Sequence, residues 1–139
     1  MQVKISLPVL AFCLVALPAV GRAALTQQNF QLRTTADLVD LCSATQSDPM
    51  YTAGINFCHG FAVGVFRTLT EADAARHPSR RTFCMTEPAP SRDEGIASFV
   101  QWAKTNQGQL DQPPADAIAV FLSQRYPCPQ STASKKAVR

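Results

Sequence analysis

Apolar residues recur along this chain at spacings of three and four over four separate stretches, and no stretch reads as a strand, so the pattern predicts an all-α chain. Thr34 with Asp37 three positions on gives a capping-box start. Leu38, Leu41 and Cys42 then share one face up to about Ala44, before the Ser47-Asp48-Pro49 turn signal. The longest segment runs from about Met50 to Ala75. Its stripe of Ile55, Cys58, Ala62, Val65, Phe66 and Leu69 makes it the expected spine. Ser91 and Glu94 open a third helix that carries Ile96, Phe99, Val100 and Ala103 and stops at Gly108. Asp111-Gln112-Pro113-Pro114 opens a fourth, because the missing proline N–H is not needed in a first turn; Ile118, Phe121 and Leu122 face inward, and Pro127 ends it. The expected architecture is a small up-and-down bundle of about four helices.

Two features break this regularity. Gly54, Gly60 and Gly64 lie inside the long helix, where each costs roughly 1 kcal/mol relative to alanine. Gly60 and Gly64 form a G-x-x-x-G pair, read here as packing glycines against a neighbouring helix; Arg67, Glu71 and Asp73 on the same helix argue against a membrane span. From Arg76 to Pro90 the periodicity disappears. Long connections of this kind tend to be functional, and this one places Arg80, Arg81 and Phe83 together. Arginine and aromatic side chains carry much of the energy of protein interfaces, so these three are candidate partner-binding residues. The plainer reading is a solvated loop with Phe83 tucked into the core.

The N-terminus changes the picture. Lys4, an apolar run from Ile5 to Val20 and the sequence Gly21-Arg22-Ala23 make residues 1–23 a signal peptide; the run contains Pro8 and Pro18 and falls short of the roughly 20 residues that span a bilayer. Cys13 lies inside the run after Phe12, where a lipid-attachment site wants a small residue. The mature protein is thus expected to be periplasmic, without a membrane span, as a lead-in at 24–33, one helical domain at 34–128 and a disordered basic tail at 129–139. Cys42, Cys58, Cys84 and Cys128 remain, an even set at helix edges in an exported chain, and read as a disulfide framework. Sequence alone leaves three pairings open; an up-and-down bundle favours Cys42–Cys58 and Cys84–Cys128.

Composition removes several functions. The net charge of +3 falls further once Lys4 and Arg22 leave with the leader, so the basic surface that nucleic acid requires is missing. Cys58 and His59 are adjacent, which on a helix points them roughly 100° apart rather than at each other. There is no C-x-x-C, no H-x-x-x-H, no phosphate-binding glycine loop and no acid/base carboxylate pair. No catalytic residue, metal or cofactor is assigned, and the expected role is binding through surface and shape.

Cys58-His59-Gly60-Phe61-Ala62-Val63-Gly64-Val65 resembles the C-x-G-[aromatic]-[aliphatic]-x-G-[aliphatic] signature of the Tai immunity family, the type VI amidase immunity or resistance-associated proteins. The flanking landmarks agree: a helix ending in Cys42, the mid-chain Cys84, and the closing Tyr126-Pro127-Cys128, so that the likeness covers about Thr34 to Cys128. The resemblance implies an all-helical periplasmic protein that occludes the cysteine-histidine site of a secreted peptidoglycan amidase, with a dimer and a protruding loop involved in binding. It assigns Cys58, Gly60, Phe61, Gly64, Cys84, Pro127 and Cys128 to the scaffold. Thr86 stands where the family often has proline, which implies a different course for the loop around Cys84. The alternative function is a general periplasmic helical binding or stress-protection protein without an amidase partner; only 17% charged residues and two histidines supply it poorly for acid-triggered exposure.

Overall fold

A computed structural model of the chain describes residues 23–129. The expected signal peptide, apart from Ala23, and the basic tail, apart from Pro129, lie outside the described residues. Within them are four α-helices and no strand: α1 Thr35–Cys42, α2 Tyr51–Ala74, α3 Arg92–Thr105 and α4 Pro114–Arg125. Short 3-10 turns occupy Asn29–Gln31, Pro78–Arg80 and Gln107–Gln109.

The helix starts follow their caps. The Asp37 carboxylate accepts the Thr34 N–H at 3.1 Å while the Thr34 hydroxyl accepts the Asp37 N–H at 3.4 Å. Ser91 and Glu94 repeat the exchange at α3, at 2.8 and 3.3 Å. Each box satisfies amide donors that a helix start otherwise leaves orphaned, an effect of about 1 kcal/mol. Pro114 occupies the first turn of α4. At α1 the remaining donors are met from afar: Thr35 N–H reaches the Gln112 carbonyl at 2.8 Å and Ala36 N–H the Leu110 carbonyl at 2.9 Å. The short first helix is thereby tied to the connection between α3 and α4.

Each of the four helices touches the other three, and α1 and α2 share the most extensive contact. The core gathers on α1, only 8 residues long, whose Leu38 and Leu41 are completely buried. The 24-residue α2 buries Gly54, Cys58 and Asp73, with Phe61, Val65, Phe66 and Leu69 partly covered. A helix much longer than its neighbours leaves part of its apolar stripe uncovered. The other side of the core is an aromatic cluster in which Phe121 meets Phe99 and Trp102, each at 5.6 Å between ring centroids.

The glycines of α2 divide differently from the expectation. A side chain added at Gly60 or Gly64 would meet nothing within 4 Å, so neither packs against another helix of this chain. Spacing alone places two glycines on one face; it does not determine whether a neighbour covers that face. Close packing belongs to Gly54, where an added Cβ would come within 2.5 Å of Leu25 Cδ1. Leu25, from the lead-in, is buried, and its N–H donates to Asp48 Oδ2 at 2.7 Å. Replacing Gly60 and Gly64 by alanine is therefore expected to stabilise the isolated protein by about 1 kcal/mol per site, from helix propensity without a steric cost. Thermal melts of the two single variants check this.

All four described cysteines are paired, Cys42 with Cys58 and Cys84 with Cys128. The first bond closes α1 onto α2 and the second fastens the connection before α3 to the end of α4. Sequence separations of 16 and 44 correspond to about 3 and 4 kcal/mol in the chain-entropy account.

Candidate functional site

The connection from α2 to α3 is built from a buried carboxylate. Asp73, in the last turn of α2, is 6% exposed. Its Oδ2 accepts the Thr82 N–H at 2.7 Å and the Phe83 N–H at 3.1 Å, and its Oδ1 accepts the Thr82 hydroxyl at 3.0 Å. Arg76 Nε lies 3.7 Å from Oδ1. Burial on its own would raise this carboxyl; the amide donors of Phe83 and Thr82, then the Thr82 hydroxyl and Arg76, outweigh it and hold the group below its ordinary 3.8. Asp73 was not singled out from sequence, although a signal existed. An acid in the last turn of a helix opposes the helix dipole, and such a placement calls for a local partner.

This clamp decides the fate of the predicted binding residues. Phe83 is buried, 6% exposed, with its ring 6.1 Å from that of Phe66. It belongs to the core rather than to a contact surface, because the bonds from its own and the Thr82 amide to Asp73 turn the chain inward there. Arg80 and Arg81 are exposed at the 3-10 turn Pro78–Arg80 and just beyond. Neither forms an ion pair among the described residues. The Cys84 N–H donates to the Tyr126 carbonyl at 2.8 Å beside the disulfide to Cys128, so the loop returns to a fixed base. The result is a basic tip on a braced stem.

A second surface lies between α2, α3 and α4. Ala62, Val63 and Phe66 of α2 face Ile96 and Phe99 of α3 and Ile118 of α4 across an apolar groove of about 320 Å³. Met85 and Pro90 close it from the loop side, and Gly95 leaves one wall open, since a side chain there would meet nothing within 4 Å. Among the described residues, Arg67 and Arg92 are its only charged lining residues. Sequence reading placed Ala62, Phe66, Ile96, Phe99 and Ile118 on core-facing stripes and did not find the gap between them.

Each described cysteine is in a disulfide, so none of the four is available as a free thiol nucleophile. His59 Nε2 stands 3.9 Å from Asp93 Oδ1, a link from α2 to the start of α3. No group of residues that could hold a metal occurs among the described residues, and no helix there is long and apolar enough to cross a membrane.

Fold and surfaces together define a disulfide-framed, all-helical domain whose distinctive features are a braced basic loop and an apolar groove. The family model of the Rap1a immunity proteins matches residues 34–128, from the α1 cap to the last disulfide. The chain belongs to the Rap1a immunity protein family. No curated protein and no solved structure matches it.

Proposed function

We propose that this protein is a periplasmic immunity protein that binds a type VI secreted peptidoglycan amidase and occludes its active site. The observation that carries this is the match to the immunity family over the whole disulfide-framed domain, 34–128. The two disulfides fit an oxidising compartment. The contact surface we assign to the partner includes Arg80 and Arg81. They are exposed, without an ion pair among the described residues, and they sit on a stem held by Asp73 and by the Cys84–Cys128 bond. A braced loop loses less conformational entropy on docking than a free one, which favours tight occlusion.

The test is periplasmic co-expression with an amidase encoded beside this gene. Wild-type protein should prevent lysis and co-purify with the amidase. An Arg80→Ala, Arg81→Ala double variant, folded by circular dichroism, should weaken binding by about 2 kcal/mol or more. Lysis in the presence of wild-type protein would remove the amidase reading. Full protection by the double variant would remove only the assignment of these arginines.

A further inference from the structure

We propose that the groove between α2, α3 and α4 is a binding site for a long-chain acyl carboxylate, with the chain among Phe66, Ile96, Phe99 and Ile118 and the carboxylate at Arg67 and Arg92. Three observations meet there. The cavity, about 320 Å³, falls within the range of roughly 300–1,000 Å³ typical of small-ligand sites and has an almost wholly apolar lining. Among the described residues its only charges are the two exposed arginines, and no acidic residue lines it. Neither guanidinium has an ion pair or a hydrogen bond among the described residues.

Of the two acidic residues that follow Arg92 in sequence, one is held in a helix cap and the other stands near a histidine. Glu94 caps Ser91, receiving its N–H at 2.8 Å and its hydroxyl at 2.7 Å, and Asp93 faces His59. Two cations without an ion pair among the described residues, at the edge of an apolar slot, complement a ligand with one anionic end and an aliphatic body. A carboxylate matches the planar guanidinium fork and keeps its charge in water while the chain is buried. Gly95 of α3 lines the groove, and a side chain there would meet nothing within 4 Å, so the glycine leaves the groove's volume open.

The proposal is independent of the immunity reading and is tested on the oxidised mature protein without any partner. Dansyl-undecanoate should bind with enhanced fluorescence and be displaced by free carboxylates. Displacement should strengthen from octanoate to decanoate to dodecanoate, by roughly tenfold for each two methylenes buried. Gly95→Leu, which fills the groove, should abolish binding while leaving the melting temperature equal to or above that of wild type. Arg67→Gln with Arg92→Gln should weaken dodecanoate about tenfold and leave methyl dodecanoate unchanged, the contribution of two solvent-edge charge pairs. Absence of binding to wild type, no dependence on chain length, or equal binding by folded Gly95→Leu would each overturn the proposal.

Discussion

Replacing Cys84 and Cys128 together by alanine is expected to lower stability by about 4 kcal/mol, a melting temperature roughly 15 to 30 °C below wild type. The bond spans 44 residues, including the whole of α3 and α4, so its removal frees the largest loop in the described chain. The corresponding pair Cys42 and Cys58, 16 apart, should cost about 1 kcal/mol less in the same account. The two losses also differ in place. Without Cys84–Cys128, amide exchange should accelerate first at Thr82 to Met85, where the connection depends on that anchor and on the Cys84–Tyr126 backbone bond. Thermal melts and hydrogen exchange of both double variants check the order and the location; equal losses would contradict the loop-length argument.

Asp73→Ala should follow at about 3 kcal/mol, because it removes a charged acceptor from three donors and leaves two amides, one of them the buried Phe83 N–H, without a partner. The same residue should shape the acid limb of stability. Its folded-state carboxyl titrates below the ordinary 3.8, so the folded protein binds fewer protons than the unfolded chain in that range. The contribution is fully present above about 3.8 and is lost as pH falls through the lower folded value. Glu94 is lowered as well, first by the Ser91 hydroxyl and then by the Ser91 N–H, and acts in the same direction. Asp73→Asn keeps the shape and cannot titrate, so its melting temperature should fall less steeply on acidification than that of wild type. Parallel acid limbs for the two proteins would mean that this carboxylate is not held as described.

Local chemistry was legible in the sequence wherever a short pattern has a single physical outcome. Thr34 and Asp37, Ser91 and Glu94, and Pro114 each start the helix they announce, and the cysteine pairing followed from the positions of the helix ends. What could not be read were facts about coverage. Gly60 and Gly64 share a helix face, but whether another helix covers it depends on where α1 and α3 end. Phe83 carries the composition of a contact residue, and its burial depends on a carboxylate ten positions earlier. The groove is lined by α2, α3, α4 and the connection before α3 together, so no single segment announces it. The pattern of one segment specifies its own periodicity, whereas an uncovered surface is set by several segments together.

The central claim, that this helical domain silences a peptidoglycan amidase by covering its active site, is tested most directly by titrating the purified amidase with the oxidised protein and following peptidoglycan cleavage. The account predicts that activity falls linearly to zero at a fixed stoichiometric ratio and returns when Cys84–Cys128 is removed and the braced loop is lost. Undiminished cleavage at a large molar excess of folded, oxidised protein would contradict it.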